Sequence, residues 1–237
     1  MQYLGGKQRL AKLFAPVLDE ALALGSGRLI EPFVGGFNIL PSLAYARSAL
    51  CADIHPGLIA LYQALQSKVY VPPENLSEDR YQQLRLSSNW DDPNTAFAAF
   101  GCSFGGKEWG GYARNAKGDN YALRARKSLL KKAKSMQGVE FLHTNYRTLW
   151  ANHGDVVYAD PPYANTTGYA TGSFDHDEFY EWCEQRSREG ARVFVSEFTV
   201  PDRRGWSVVW KIDRHVMVDG RTQGNRTRTD LLIEVRT

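Results

Sequence analysis

Apolar runs of strand length alternate along this chain with longer segments in which apolar residues recur every three or four positions. That rhythm predicts an α/β fold, a mostly parallel sheet covered by helices. The strand runs are RLIEPF from Arg28, ALCAD from Ala49, VEFLH from Val139, DVVYAD from Asp155 and ARVFVSEF from Ala191, with SVVWKI and DLLIEVR near the end. Helical spacing covers about 7 to 24, 37 to 47, 56 to 67, 93 to 101, 122 to 136 and 175 to 189. Within the fifth of these, ALRARKSLLKKAKSM puts Leu123, Leu130 and Ala133 on one face and cations on the other. Asp175 with Glu178 three residues later reads as a capping box that opens the last helix.

The rhythm fails between Val71 and Tyr121, where no strand pattern occurs and the chain carries the glycine-rich, aromatic and basic FGCSFGGKEWGGYARNAKGDNY. An insertion of this size between two strands predicts a binding subdomain at 71–121, set into a domain built from 1–70 and 122–237. A packed surface excursion is the bland alternative.

Composition changes this picture little: 43% hydrophobic and 23% charged residues are ordinary for a soluble globular protein. No apolar run approaches the roughly 18 residues of a membrane span, and MQYLGGKQRL lacks a signal pattern. A cytoplasmic protein, monomer or weak dimer, is expected. Cys51, Cys102 and Cys183 form no C-x-x-C pair and read as reduced structural thiols. His55, His143, His153, His176 and His215 show no ligand spacing, so no metal is expected. A serine hydrolase is unsupported, because no G-x-S-x-G turn occurs.

Charge is uneven rather than large. The formal net charge is only +3, yet from Ser103 to Lys134 nine Lys or Arg face two acids, Glu108 and Asp119. GRTQGNRTRT from Gly220 adds Arg221, Arg226 and Arg228 with no acid. Such patches are either solvated faces or contacts for a phosphate backbone.

Two stretches carry candidate chemistry. LIEPFVGGFNIL reads as strand, glycine turn and helix, with Gly35 and Gly36 letting the backbone turn sharply and approach a ligand at the carboxyl end of a strand. Asp53 ends the next strand about twenty residues on, where nucleoside-binding folds place a carboxylate for ribose hydroxyls. The pattern is not G-x-G-x-x-G, so a nucleoside without a pyrophosphate fits better than a dinucleotide. The structural alternative makes the glycines a plain turn and Asp53 a helix cap before His55. In VVYADPPYAN, a buried strand ends in an acid, two prolines and a tyrosine. Two prolines cannot continue a central strand or a helix, so Asp160 and Tyr163 flank a stiff corner.

YLGGK (3 to 7), EPFVGG (31 to 36), ADI (52 to 54) and ADPPY (159 to 163) stand in this order along the chain. With them the sequence resembles the Dam-type DNA adenine-N6 methyltransferases of the D12 class, and weaker similarity runs through FVSEF and NRTRTDLLIEV. The resemblance implies a Rossmann-like class I methyltransferase fold with a reversed C-terminal hairpin, the cofactor S-adenosylmethionine and double-stranded DNA as substrate. It places Tyr3 and Lys7 in the first cofactor motif, and Glu31, Pro32, Phe33, Gly35 and Gly36 around the methionine part. Asp53 then stands at the ribose, and Asp160, Pro161, Pro162 and Tyr163 form the catalytic loop, Asp160 also touching the cofactor. Compactness and the resemblance point to a phage-like or orphan modification context. The GATC-reading segment of the Dam type has no match in residues 71 to 121, so the resemblance implies a site-specific or relaxed-specificity enzyme without naming its target.

This chemistry suits the motif. Adenine N6 is a poor nucleophile because its lone pair is delocalised into the ring. Asp160 and a backbone carbonyl of the Pro161-Pro162 segment can each accept one N6 hydrogen, drawing the nitrogen toward a tetrahedral shape. Tyr163 offers a flat face to a base that has left the duplex, and base–aromatic stacking is worth roughly 1–3 kcal/mol. For DNA, Lys107, Trp109, Tyr112 and Arg114 are expected at base steps or phosphates, and Arg124, Arg126, Arg226 and Arg228 at the backbone. The motif alone leaves RNA or a protein amide open as acceptor, and an inert DNA-binding module as a further alternative.

Overall fold

The computed structural model describes residues 1–163, 174–217 and 225–237. In chain order its elements are α1 (Ala11–Leu24), β1 (Arg28–Glu31), β2 (Ser48–Asp53), α2 (Pro56–Gln66), α3 (Glu78–Ser87), α4 (Pro93–Ala96), α5 (Tyr121–Ala133), β3 (Val139–His143), β4 (Val156–Ala159), α6 (His176–Arg188), β5 (Arg192–Glu197), β6 (Trp206–Met217) and β7 (Asn225–Val235). Side-chain acceptors start the helices where the sequence supplies them: His55 caps α2, Ser77 α3, Asp92 α4, Asn120 α5 and Asp175 α6. The chain divides into two compact units, the first made of 1–13, 34–43 and 49–145, the second of 14–33, 44–48 and 146–237.

In the first unit β2 and β3 pair in parallel, with Cys51 opposite Phe141 and Asp53 opposite His143. Phe37, Tyr62 and Phe141 fill the space beside them, with ring centroids 5.5–5.7 Å apart. After α3, α4 runs into a π-helical turn, Phe97–Gly101, whose residues are all buried. The predicted insertion therefore contains packed helices as well as the glycine-rich loop, which an antiparallel bridge between Ser103 and Tyr112 closes.

In the second unit β1, β4 and β5 are parallel neighbours. β7 lies antiparallel to β5, and β6 pairs antiparallel with β7. The order β1-β4-β5-β7-β6 is the Rossmann-like core with the C-terminal hairpin that the resemblance implied, and of these strands β7 is the one that runs against the others. β4 is buried along its whole length, and Phe14 packs on its Tyr158 at 6.2 Å and on Trp210 of β6 at 4.9 Å. Because the flanking strands run the same way, the ends of β1, β4 and β5 present Glu31, Asp160 and Ser196–Glu197 on one edge.

Local structure departs from the sequence reading in four places. Residues 37–47 form only a 3-10 turn, Leu40–Ser42, with Pro41 in its first turn. Phe37 has φ +50, and the amides of Ala44 and Tyr45 donate to the Asp19 carboxylate at 2.9 Å instead of to a helix. α3 had no sequence signal, since its residues EDRYQQLRLS are mostly polar and only Tyr81 and Leu84 are buried. On α5 the buried positions are Ala122, Ala125, Leu129 and Lys132, while Leu130 faces solvent. The stripe is turned by about one residue from the predicted face, and a lysine lies on it. The capping box is half formed: Asp175 accepts the Glu178 amide at 3.0 Å, but the Glu178 carboxylate pairs with Arg147.

Candidate active site

The turn at Val34–Gly36 belongs to the first unit. The Val34 amide donates to the Ala52 carbonyl at 2.8 Å, and the Gly35 amide donates to Oδ2 of Asp53 at 2.8 Å. Oδ1 of Asp53 accepts the His55 amide at 2.9 Å, so the helix cap is His55 and Asp53 braces the glycine turn. Burial pushes the Asp53 carboxyl above its ordinary value, against the opposing pull of both amides and of His55 and His143. The turn's carbonyls are held as well. Tyr62 donates its hydroxyl to the Gly35 carbonyl, and Nζ of Lys132 donates to the Gly36 carbonyl at 2.6 Å and to Oδ1 of Asn38 at 2.7 Å.

Gly35 has φ +42, and a Cβ there would lie 2.9 Å from Cε1 of Tyr3. The Tyr3 ring thus lies against the turn, and only glycine leaves room for both. Lys7 is buried, with Nζ 3.1 Å from the Gly5 carbonyl that it donates to. Tyr3, Gly35, Gly36 and Asp53 are therefore gathered in one place by the first unit. Sequence reasoning missed Tyr62 and Lys132. The spacing of Ala125, Leu129 and Lys132 on one helical face was the available signal, masked by counting Lys132 among the surface cations.

In the second unit Glu31 and Pro32 are buried at the end of β1. Phe33 leaves them to join an aromatic cluster, 5.5 Å from Tyr146 and 5.6 Å from Phe179. The corner after β4 holds Asp160 half-buried with its Oδ1 atom sealed from solvent. Tyr163 and Ser196 share a hydroxyl–hydroxyl hydrogen bond of 2.7 Å. The Tyr163 ring meets Phe198 nearly at right angles, centroids 4.2 Å apart. Burial first, then the Asp160 carboxylate, push the Tyr158 and Tyr163 hydroxyls well above their ordinary range. Both stay protonated at any working pH. The Arg228 guanidinium lies 4.3 Å over the Phe198 ring; the Arg226 side chain lies outside the described residues.

The candidate DNA contacts of the first unit fall into two groups. Lys107, Arg114 and Arg124 are exposed. Arg114 pairs with Glu78 at 2.6 Å and Arg124 with Asp119 at 2.9 Å, and exposed pairs of this kind are weak enough to exchange for phosphate. Trp109, Tyr112 and Arg126 already hold the fold. Trp109 sits 5.2 Å from Tyr81, the Tyr112 hydroxyl donates to the Leu76 carbonyl at 2.6 Å, and Arg126 donates to the Pro72 carbonyl. Among the described residues no cluster of His, Cys, Asp and Glu could hold a metal, and no helix is long and apolar enough to cross a membrane.

Comparison with known proteins decides the family. The model of the D12 class N6 adenine-specific DNA methyltransferases matches residues 3–96 and 107–203. The chain belongs to this family. Its reaction is therefore methyl transfer to adenine in DNA, which selects among the acceptors the D-P-P-Y letters left open. Relatives agree. The retron Ec67 DNA adenine methylase of Escherichia coli is 31% identical over 194 residues, covering 71% of this chain and 68% of that protein. The DNA adenine methylase of Escherichia coli strain K12 is 27% identical over 270 residues, covering 98% of this chain and 93% of its own. Among solved structures, a putative methyltransferase yhhF from Escherichia coli is matched over 97% of this chain and 85% of its own at 12% identity, with a TM-score of 0.40.

Proposed function

We propose that this adenine-specific DNA methyltransferase takes its methyl group from S-adenosylmethionine and acts on an adenine turned out of the duplex onto the corner Asp160–Tyr163. The observation that carries the reading is the corner itself: a carboxylate and two proline carbonyls fixed at the end of a fully buried strand, beside a tyrosine tied down at its hydroxyl. Asp160 and a carbonyl of the Pro161-Pro162 segment accept the two N6 hydrogens. Acceptors held in advance reorganise little as the bond forms, and Asp160 stands where positive charge gathers on N6 and can take its proton. Tyr163 supports the base by stacking.

The residues present suit the donor. The glycine turn holds the Tyr3 ring close against Gly35, and a carboxylate accepting one amide per oxygen keeps lone pairs for ribose hydroxyls. Tyr3, Lys7, Glu31, Pro32, Phe33, Gly35, Gly36, Asp53 and Asp160 are the residues this reading assigns to the donor. S-adenosylmethionine, when bound, supplies an electrophilic methyl on a sulfonium. Residues 71–121 serve target recognition in this reading, with Lys107, Arg114 and Arg124 on phosphates. Trp109, Tyr112 and Arg126 support that surface, and Arg226 and Arg228 add backbone contacts.

The test is Asp160→Ala. Labelled-methyl incorporation into DNA should fall by roughly 10²–10⁴-fold, while calorimetry still detects S-adenosylmethionine binding. Parental activity in that variant would remove Asp160 from the reaction.

A further inference from the structure

One contact to the corner comes from outside its four letters. Nε2 of His176 lies 2.9 Å from the Pro162 carbonyl oxygen. A carbonyl only accepts, so Nε2 carries the proton and donates. His176 is the first residue of α6, directly behind the N-cap Asp175, and its ring meets Phe174 edge-on at 4.9 Å. Capping does not account for the residue, since the Asp175 carboxylate performs it.

The consequence follows from backbone geometry. The Pro162 carbonyl belongs to the rigid peptide plane that ends at the Tyr163 amide. Ring closure fixes φ of Pro162, which leaves ψ of Pro162 and φ of Tyr163 as the soft angles around that plane. A hydrogen bond on the carbonyl fixes the tilt of the plane, and so the direction in which Tyr163 leaves the chain. Ser196 fixes the other end of the same side chain at 2.7 Å, and Phe198 fixes the ring edge-on.

We propose that His176 is a positioning residue for methyl transfer: its N–H sets the tilt of the Pro162–Tyr163 peptide and thereby aims the Tyr163 ring at the target adenine. The inference rests on the reading of Asp160–Tyr163 as the catalytic corner. It requires no charge on the imidazole, because the neutral ring with hydrogen on Nε2 donates as the cation does.

His176→Phe keeps a flat ring beside Phe174 and removes the donor, whereas His176→Gln returns an N–H at similar reach. With DNA and S-adenosylmethionine saturating, kcat of His176→Phe should fall roughly 10–100-fold with cofactor Kd within about twofold of the parent, and His176→Gln should recover to within about threefold. Parental kcat in His176→Phe, or a His176→Gln enzyme as slow as His176→Phe, overturns the proposal. Thermal melts identify a variant that has not folded; should His176→Phe be one, His176→Asn, too short to reach, replaces it with the same expectations. Asp160→Ala measured alongside separates the two failures. An active Asp160→Ala enzyme removes the catalytic corner, whereas an inactive one beside an unimpaired His176→Phe removes only the role of His176.

Discussion

The turn at Val34–Gly36 owes its shape to side chains that arrive from elsewhere in its unit, whereas the corner at Asp160–Tyr163 owes most of its shape to its own two prolines. Glycine imposes nothing, so its turn needs Asp53 on an amide and Tyr62 and Lys132 on carbonyls to stay in one conformation. Proline imposes φ and removes a donor, so at the other corner His176, Ser196 and Phe198 act on what the rings leave free. A permissive backbone takes its order from a network, while a restrictive one needs a few final contacts. Changes around the turn should therefore spread into stability, and changes around the corner should stay in rate.

Lys132→Met gives the largest effect expected on stability. It leaves the Gly36 carbonyl and the Asn38 side chain without their buried charged donor, a loss of about 2–3 kcal/mol. The melting temperature should drop by roughly 5–10 °C, read by calorimetry, with S-adenosylmethionine affinity falling alongside; an unchanged melt would break the comparison at its first term. Gly35→Ala comes next. A residue forced to hold positive φ costs roughly 1–3 kcal/mol, and here its Cβ also presses on the Tyr3 ring. Titration should show S-adenosylmethionine bound roughly 5- to 100-fold more weakly, in line with that strain, and equal affinity would mean the turn does not meet the cofactor.

Smaller effects come from the Tyr163–Ser196 hydroxyl pair at the corner. Ser196→Ala and Tyr163→Phe remove the same hydrogen bond, so each should lower kcat by roughly three- to tenfold and the double variant should be no slower than either. Additive losses would show that the two hydroxyls act separately. The smallest effect sharpens the contrast instead of testing it. Burial pushes the Cys102 thiol up to about 12 and the Cys183 thiol well above its ordinary value, and Cys51 is buried too. A thiol reagent at pH 8 should leave the folded protein unmodified. Under rising urea, the order in which Cys102 of the first unit and Cys183 of the second react reports which unit opens first, and rapid labelling without urea would contradict the burial.

How much of this was legible in the sequence follows from the same contrast. Gly35, Gly36, Pro161 and Pro162 have local backbone meanings that hold wherever they stand, so both corners and the strands before them could be read from single letters. Asp53 and Asp160 were legible because they end those strands. Tyr62, Lys132 and His176 were not, because what they do depends on a partner many positions away. Lys132 looked like one more surface cation until its helix was seen to turn it inward. The false helix at 37–47 fails for the same reason: its spacing was helical, but Asp19, some 25 residues earlier, takes the amide of Ala44. α3 carries too few apolar positions for any periodicity to show.

Strand β6 holds a register shift between Val208 and Trp210, two residues of pairing where its neighbour spends one. The extra residue is left out of the ladder, so Trp210 stands opposite Leu232, next to the Val208–Ile233 pair, and its ring reaches Phe14. Loss of a single codon at that point would straighten the strand without re-pairing it, whereas the same loss within a regular stretch of β6 would slip the register and turn its side chains to the wrong face.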